Sequence, residues 1–329
     1  MKSYYSTFIP GLLDPVRDAL RAALPDAKIT LALDGLIAYE TDAKAAAIAK
    51  LPFVTNSFEI IQRVEGLPVR GLAERAIADA WTIEAPRGTF RVIASVANQL
   101  VALDTEVMGA LERRIAEKTR MRPHRAKPEH EFWLLERSEG YGFFALRLSH
   151  HQAYDKSLQK GELRPELANI LCRLSDPAPR ELFLDPFCGS GAIAIQRATF
   201  FAPGLTIASD NDDRKVEALK ERIKELGLRK RVVVRRDDAL KLARYEEGSI
   251  HKIVTDPPWG HFAGPEQPME EFYRAMLAEL ARVLRPGGKL VILTAQGLPA
   301  DERLALVRKF NILVSGKKAA VYVMERRER

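Results

Sequence analysis

An acid, two prolines and an indole follow one another at Asp256, Pro257, Pro258 and Trp259, directly after the apolar pair Ile253-Val254. The Asp256 carboxylate and the Pro257 carbonyl can accept hydrogen bonds from an exocyclic amino group, which favours the tetrahedral nitrogen that methyl transfer requires. The prolines fix φ and bring no competing N–H, and the indole offers a flat face for a base. In isolation, the four residues could equally form a surface turn.

A second stretch, LDPFCGSGAIA at Leu184–Ala194, predicts a loop that approaches a ligand closely. Gly189 and Gly191 allow tight backbone turns, and their spacing also fits the G-x-G-x-x-A pattern of dinucleotide-binding loops. Asp185 precedes the loop, where a carboxylate would repel a pyrophosphate but would suit the ammonium group of S-adenosylmethionine. Asp210 can bind the ribose hydroxyls of either cofactor.

These aspartates all follow predicted strands. The strands are predicted at Glu181–Asp185, Leu205–Ser209, Val232–Arg235 and His251–Thr255. Because ligands of an open α/β sheet bind beyond the carboxyl ends of its strands, the acids should collect on one edge. After the third of these strands, Asp238 and its neighbour Ala239 are candidates for contact with adenine, and Asp237 is a competing candidate.

Strand and helix patterns alternate through the carboxy-terminal half. They predict an α/β fold, namely a Rossmann-like domain with a mostly parallel sheet and a closing antiparallel hairpin. The predicted helices are Leu163–Leu174, Ala192–Ala198, one from about Asp213 that ends at Gly227, and Phe272–Leu284. A turn at Pro286-Gly287-Gly288 is predicted to enter the strand Lys289–Leu293, and the hairpin is predicted to pair Phe310–Val314 with Ala319–Met324.

The amino-terminal half predicts a smaller α+β arrangement, with modules that meet near Leu67-Pro68. Its predicted strands are Tyr4–Phe8, Ile29–Leu33, Phe90–Ser95, Phe132–Glu136 and Phe143–Leu148, with helices at Asp14–Leu24 and Thr105–Thr119. We therefore expect one module over 1–66, a second over 67–150, a linker over 151–162 and the Rossmann-like domain over 163–329.

The composition of the 329-residue chain is 47% hydrophobic and 29% charged, which is typical of a globular protein. No apolar run approaches the ~20 residues that cross a bilayer, and the amino terminus lacks a signal-peptide pattern. Cys172 and Cys188 have no Cys or His at metal-ligand spacing, so we expect no metal site. With no disulfide framework either, we expect the protein in the reducing cytoplasm.

The chain carries 51 Lys and Arg against 44 Asp and Glu, a formal net charge of +7. This charge is compatible with a polyanionic partner. Its densest segment between Leu111 and Lys127 holds Arg113, Arg114, Lys118, Arg120, Arg122, Arg125 and Lys127. We expect this basic run to contact nucleic-acid phosphates, with a solvated helix face as the alternative.

The wording and order of these motifs resemble a known family. LDPFCGSGAIAI and TDPPWG look like motifs I and IV of amino-group methyltransferases, and DPFCGSG is similar to the THUMP-domain RNA methyltransferases that make N2-methylguanosine. YYSTFIPGL at Tyr4–Leu12 resembles the ferredoxin-like module of that family, and Phe90–Ser149 resembles a THUMP domain. KGELRPELA at Lys160–Ala168 resembles the helix before motif I, and LRPGGKLVILT also follows the pattern of this class.

The resemblance implies S-adenosylmethionine as cofactor and gives the site residues roles. Asp185, Phe187, Gly189 and Gly191 would line the methionine part, Asp210 would hold the ribose, Asn211 and Asp238 would contact the adenine, and Asp256, Pro257, Pro258 and Trp259 would hold the target base. The family more often has Tyr or Phe in place of Trp259 and often has Asn in place of Asp256. The stacking and acceptor roles survive both changes.

From motifs and resemblance together we expect an RNA methyltransferase that acts on guanine N2, with tRNA as the expected substrate. We expect a monomer that binds neither a metal nor a membrane. An adenine-N6 or cytosine-N4 methyltransferase on RNA or DNA is an alternative, because D-P-P-W would bind an amino group on any of these rings. A nicotinamide-dependent oxidoreductase and a non-catalytic RNA-binding protein are alternatives from other classes.

Overall fold

The computed structural model describes residues 1–84, 87–149, 162–260, 268–314 and 316–328. They divide into two compact units. The amino-terminal unit comprises residues 1–7, 20–51 and 55–152, and the carboxy-terminal unit comprises residues 8–19, 52–54 and 153–329. The predicted linker over 151–162 lies outside the described residues except for its last residue.

The first part of the chain contains strands β1 to β9 and helices α1 to α4. In chain order they are β1 Lys2–Thr7, α1 Leu13–Ala23, β2 Lys28–Leu33, β3 Leu36–Thr41, α2 Ala45–Ile48, β4 Asn56–Glu65, α3 Val69–Ala78, β5 Thr89–Val96, β6 Gln99–Val101, α4 Thr105–Thr119, β7 Arg122–Pro123, β8 His130–Glu136 and β9 Tyr141–Arg147. The strands form one sheet in the order β2-β3-β1-β4-β9-β8-β5-β6, with β7 paired to β5.

This sheet includes strands from both predicted amino-terminal modules. Strand β4 pairs antiparallel with β9, from Phe58 opposite Arg147 to Glu65 opposite Tyr141. The boundary between residues 66 and 67 stays a prediction. On one face of the sheet, α3 and α4 bury Leu72 and Leu111 against Phe132, Phe144 and their neighbours.

Strands β3 and β4 and helix α3 are absent from the sequence predictions. The residues of β4, NSFEIIQRVE, include charges in its interior, and α3 contains Gly71, a poor helix former. Tertiary contacts overcome these local preferences. Glu59 of β4, for example, is buried and forms an ion pair with Lys2 at 3.0 Å.

The carboxy-terminal unit is an α/β sheet of seven strands. Its elements are α5 Pro165–Leu174, β10 Leu182–Asp185, α6 Ala192–Phe200, β11 Leu205–Asp210, α7 Asp213–Glu225, β12 Val232–Arg236, β13 Ile250–Thr255, α8 Met269–Val283, β14 Leu284–Thr294, β15 Leu304–Val314 and β16 Lys317–Arg326. The strand order is β12-β11-β10-β13-β14-β16-β15. The first five strands are parallel, and β16 is antiparallel to both neighbours. The predicted fold class is therefore confirmed.

The predicted turn at Pro286-Gly287-Gly288 is wrong. These residues lie inside β14, where the pairing with β13 passes from Ile250 opposite Leu284 to Lys252 opposite Lys289. A bulge absorbs the additional residues, and Gly287 adopts a φ of +69° there. The local Pro-Gly-Gly pattern is typical of a turn, but the strand resumes because both of its neighbours in the sheet offer hydrogen-bonding partners.

Helix α8 fixes the strands that carry the site. It buries Phe272, Tyr273, Met276, Leu277 and Leu280 against the apolar residues of β13 and β14. Across the described ranges, no helix is long and apolar enough to span a bilayer. Nor do these ranges contain a group of three or more His, Cys, Asp or Glu residues arranged to hold a metal ion.

Candidate active site

The carboxyl ends of β10 and β13 are joined by a direct side-chain hydrogen bond. The Thr255 hydroxyl donates to Asp185 Oδ1 at 2.9 Å, and the Phe187 N–H reaches the same oxygen at 3.4 Å. Asp185 is 1% exposed. Burial raises the pKa of Asp185 to about 8, although these two hydrogen bonds oppose the shift. The glycine loop and the D-P-P-W loop therefore meet at one buried carboxyl group.

The surroundings of Asp185 would suit a bound cation. Among the described residues, no Lys, Arg or His forms an ion pair with it. Isolated buried charge is costly, and the nearby Asp210 and Asp256 carboxylates add repulsion, which raises its pKa further. An ammonium group placed here would favour the ionised carboxylate, so the residue fits the methionine part of S-adenosylmethionine.

The glycine loop adopts the conformation that its sequence predicts. Gly189 and Gly191 have φ values of +48° and +85°. Gly191 begins α6, and a Cβ on it would lie 2.2 Å from Leu219 Cδ1 of α7. Among the described residues other than its chain neighbours, none has an atom within 4 Å of a Cβ built on Gly189, so a ligand can approach this face of the loop.

Asp210, at the end of β11, is held by backbone donors. The Gly189 N–H donates to its Oδ2 and the Asp212 N–H donates to its Oδ1, each at 3.1 Å. Lys215 Nζ lies 3.5 Å from Oδ2. Carboxylate oxygens accept more than one hydrogen bond, so Asp210 keeps acceptor capacity for a ribose diol beside the loop.

Three predicted adenine contacts follow β11 and β12. Asn211 and Asp238 are exposed and Ala239 is buried, and from the described residues the Asp238 carboxylate accepts only the local Leu240 N–H at 2.9 Å. The competing candidate, Asp237, has both oxygens engaged by Arg244 and the Tyr245 hydroxyl. The structure thus favours Asp238 over Asp237 as the residue available to a ligand.

The D-P-P-W loop leaves two acceptors open. The Trp259 indole N–H donates to Asp256 Oδ1 at 2.8 Å, and burial raises the pKa of Asp256 to about 7 despite this bond. Within the described part of the chain, neither Asp256 Oδ2 nor the Pro257 carbonyl has a donor partner. Trp259 supplies a donor that a Phe at this position would lack.

A cavity of about 320 Å³ adjoins the same loop and is large enough for a nucleobase. It is lined by Met269, Glu270, Tyr273, Gln296, Gly297, Leu298 and Pro299. Two of its residues contact the loop, because the Tyr273 hydroxyl donates to the Pro258 carbonyl and Gln296 Nε2 donates to the Trp259 carbonyl.

Comparison with known proteins agrees with this geometry. Residues 152–309 match the family described as "UPF0020: RMKL-like, methyltransferase domain". The matched stretch, just under half of the chain, carries the methyltransferase domain of this family. The predicted family, fold and cofactor are confirmed, since the family is S-adenosylmethionine-dependent. The matched domain is a methyltransferase domain, so the comparison favours a methyltransferase over the oxidoreductase alternative.

Individual relatives of this chain carry guanine-N2 names. The chain is 29% identical over 239 residues to the "tRNA (guanine(6)-N2)-methyltransferase" of Thermus thermophilus, covering 69% of this chain and 68% of that protein. It is 31% identical over 182 residues to the mouse "tRNA (guanine(6)-N(2))-methyltransferase THUMP3", covering 50% of this chain but 36% of the mouse protein. The match thus spans little more than a third of the mouse relative.

One solved structure resembles nearly the whole chain. "TrmN from Thermus thermophilus" superposes with a TM-score of 0.81 at 25% identity and covers 99% of this chain and 100% of that one. The likeness therefore extends beyond the sheet that carries the site.

The basic run lies on α4 and the segment after it. Arg125 forms a two-pronged ion pair with Glu112 at 3.0–3.1 Å, and Arg114 donates to the Asp79 carbonyl at 3.2 Å. The other five residues have no ion pair within the described ranges: Arg113, Lys118, Arg120, Arg122 and Lys127. All five are exposed, so five of the seven predicted contacts are free for a polyanion.

Sequence reasoning missed four residues of the site. Thr255 binds Asp185. Tyr273 and Gln296 donate hydrogen bonds to carbonyls of the D-P-P-W loop, and Thr294 binds the Tyr273 hydroxyl. Tyr273 occupies the buried face of a correctly predicted helix, where a tyrosine usually serves as an apolar residue. Its polar tip was the available signal, since a buried Tyr hydroxyl generally needs a partner.

Proposed function

We propose that this protein is an S-adenosylmethionine-dependent RNA methyltransferase that modifies the exocyclic N2 amine of guanine, with tRNA as the substrate. One observation carries the proposal. The Thr255–Asp185 hydrogen bond joins the cofactor loop to a D-P-P-W loop whose Pro257 carbonyl and second Asp256 oxygen accept no hydrogen bond from the described residues. Two acceptors for an amino group thus lie beside a site for a cationic cofactor.

The chain's own residues would position the amine and stabilise its change of shape. Conjugation makes an exocyclic amine a poor nucleophile, and two acceptors aimed at its N–H bonds favour a tetrahedral, positively charged nitrogen. Asp256 and the Pro257 carbonyl are such acceptors, and preorganised groups of this kind are a main source of catalysis. Trp259 would stack on the base. When bound, S-adenosylmethionine supplies the electrophilic methyl group.

Asp256 would hold the amine as an acceptor rather than as a strong base. The nitrogen becomes acidic as it gains positive charge, so its proton can leave after attack. The raised pKa of Asp256 suits it to take that proton near neutral pH, because a useful proton acceptor has a pKa near the working pH.

The choice of guanine N2 over other amines rests on similarity. The relatives from Thermus thermophilus and mouse are both named guanine-N2 methyltransferases of tRNA. Adenine N6 and cytosine N4 carry chemically similar amines, and the two acceptors would serve them as well. The identity of the methylated base is therefore the first quantity to measure.

The amino-terminal unit would bind the RNA backbone through the free cations of the basic run. Phosphate contacts of this kind position a nucleic acid without reading its sequence. We further propose a THUMP-like role for residues 67–150, a monomer, and a cytoplasmic location. The buried Cys172 and Cys188 are free thiols, which suits a reducing compartment.

Mass spectrometry of nucleosides tests the proposal directly. Unmodified tRNA is incubated with the protein and methyl-labelled S-adenosylmethionine and then digested. Labelled N2-methylguanosine is the expected product. Label in N6-methyladenosine or N4-methylcytidine would replace the guanine assignment, and RNA binding without label would favour the non-catalytic alternative. The Asp256→Ala variant, which keeps the cofactor loop, controls for contaminating activity.

A further inference from the structure

Three consecutive backbone carbonyls of the D-P-P-W loop have different environments. The Pro258 carbonyl accepts the Tyr273 hydroxyl at 3.0 Å, and the Trp259 carbonyl accepts Gln296 Nε2 at 2.7 Å. The carbonyl before them, at Pro257, has no donor among the described residues. Two carbonyls are therefore held by side chains of other elements, and the one assigned to the target amine is left free.

The Tyr273 hydroxyl is itself part of a longer chain of hydrogen bonds. It lies 2.6 Å from Thr294 Oγ1, at the end of β14, and the Gln296 N–H lies 3.0 Å from the same Thr294 oxygen. Tyr273 is 1% exposed and Thr294 is fully buried. Burial keeps water from competing for these partners.

The ends of this chain determine the direction of every bond in it. A backbone N–H can only donate and a carbonyl can only accept. Tyr273 must give its single proton to the Pro258 carbonyl, so it accepts the proton of Thr294. Thr294 in turn accepts the Gln296 N–H. Chains that run in one direction polarise each member and strengthen the terminal bond, which here is the bond to the loop.

We propose that Tyr273, Thr294 and Gln296 are positioning residues that brace the D-P-P-W loop for methyl transfer. The loop needs an external brace because its two prolines supply no N–H with which to hold themselves. The brace orients the peptide planes after Pro257, and the indole bond orients the Asp256 carboxylate. The inference rests on the proposed function, because the benefit of a fixed loop is a correctly aimed pair of acceptors.

Single-turnover methyl transfer tests the brace. The Tyr273→Phe and Thr294→Val variants remove one hydroxyl each and keep the side-chain shape. Each should lower the rate roughly 10- to 100-fold, as expected when acceptors are slightly misplaced, with S-adenosylhomocysteine affinity unchanged. Because both residues belong to one chain, the double variant should lose no more than the worse single variant. A wild-type rate for Tyr273→Phe would overturn the proposal.

A matched control separates positioning from stability. Tyr39 is also fully buried, and its hydroxyl pairs with Ser6 at 3.0 Å in the amino-terminal unit. Tyr39→Phe should lower the unfolding temperature without changing the single-turnover rate at saturating RNA. Equal rate losses in Tyr39→Phe and Tyr273→Phe would assign the effect to general destabilisation and overturn the brace.

Fluorine NMR reads the loop without relying on activity. The full chain labelled with 5-fluorotryptophan should show resonances for its 3 tryptophans, and Trp259→Phe assigns one of them. In Tyr273→Phe, the Trp259 resonance alone should shift or broaden. An unchanged Trp259 resonance would overturn the brace. A wild-type protein that methylates no RNA would defeat the proposed function instead, and the NMR result would still decide whether the brace exists.

Discussion

Two aspartates of the site, Asp185 and Asp256, lie where burial disfavours the charged form of the carboxyl group. Asp185 and Asp256 have pKa values raised to about 8 and about 7, mainly by burial. Asp210, by contrast, is held by two backbone N–H groups and a nearby lysine. Strongly shifted groups that cluster at a strand edge are typical of functional sites, and the two shifted groups here have separable roles.

Cofactor binding should release a proton from Asp185. Below about pH 8 the free protein holds this carboxyl protonated, whereas pairing with an ammonium group favours its ionised form. The affinity for S-adenosylhomocysteine should therefore rise with pH up to that value, by at most about tenfold per pH unit. Calorimetry in buffers of different ionisation heat measures the proton.

Asp185→Asn serves as the control for this linkage. It cannot ionise, so it should bind more weakly and release no proton over the same range. Asp256→Asn should keep the linkage, since Asp256 is assigned to the base. If the wild-type protein bound S-adenosylhomocysteine below about pH 7 without releasing a proton, the pairing of Asp185 with the cofactor would be wrong.

Asp256→Ala should act on the chemical step. It removes an acceptor that is needed as the amine becomes tetrahedral, so the single-turnover rate should fall by about 10²- to 10³-fold, the loss seen for one preorganised catalytic group. Cofactor affinity should stay near the wild-type value. Asp256→Asn retains an acceptor oxygen and should keep more activity. If Asp256→Ala transferred methyl groups at the wild-type rate, the acceptor role of the loop would be wrong and its prolines would only form a turn.

Elements bring these residues together by ending at the same edge. Parallel pairing places Leu184 of β10 opposite both Ile207 of β11 and Ile253 of β13. The following acids must then lie close together, as sequence alternation predicts. The close approach of Gly191 to α7 is less visible in sequence, because it depends on where Leu219 lies in the fold.

The two loop glycines should respond differently to alanine. Gly191→Ala adds a Cβ 2.2 Å from Leu219 Cδ1 at a left-handed φ, so it should lower the free energy of unfolding by about 1–3 kcal/mol. The methyl group of Gly189→Ala meets no described residue within 4 Å beyond its chain neighbours, so it should cost less stability. It is expected on the cofactor side of the loop and should weaken cofactor binding. Denaturant unfolding and S-adenosylhomocysteine titration compare them. Equal stability of both variants would contradict the assigned packing.

Across the whole molecule, chemistry and charge occupy different units. The site residues lie in the carboxy-terminal unit, and the basic run lies in the amino-terminal one. Five of its seven cations have no ion pair with a described residue, whereas Arg125 is neutralised by Glu112.

RNA affinity should therefore depend on salt through these free cations. Lys118→Ala with Arg122→Ala should flatten the slope of log affinity against log salt by about one to two units. Lys220→Ala with Lys224→Ala, on α7, removes the same charge from side chains paired with Glu217 and Glu221. Filter binding over a salt series compares them. If the Lys118→Ala, Arg122→Ala variant had the same slope as the wild type, the basic run would be a solvated helix face without phosphate contacts.

Much of the fold follows from local patterns. Strand–helix alternation predicts the parallel sheet, and the acids after Leu184, Ser209 and Thr255 predict its active edge, because side-chain periodicity and turn chemistry are local properties. Strand β4 and the bulge at Pro286–Gly288 escape the same reasoning. Their local sequences favour other structures, and partners distant in the chain override them.

The sequence by itself determined the fold class and predicted the cofactor loop and the acceptors, since each depends on residue types at short spacing. Tertiary structure alone decided which atoms are free. Within the residues that the structure describes, it engages Asp237 and leaves Asp238 available, and it pairs Arg125 with Glu112 but leaves Arg122 without an ion pair. Within the same residues it binds the carbonyls of Pro258 and Trp259 and leaves that of Pro257 open. The reason is physical: a hydrogen bond depends on where two side chains meet in space, and those meetings join residues far apart in the chain.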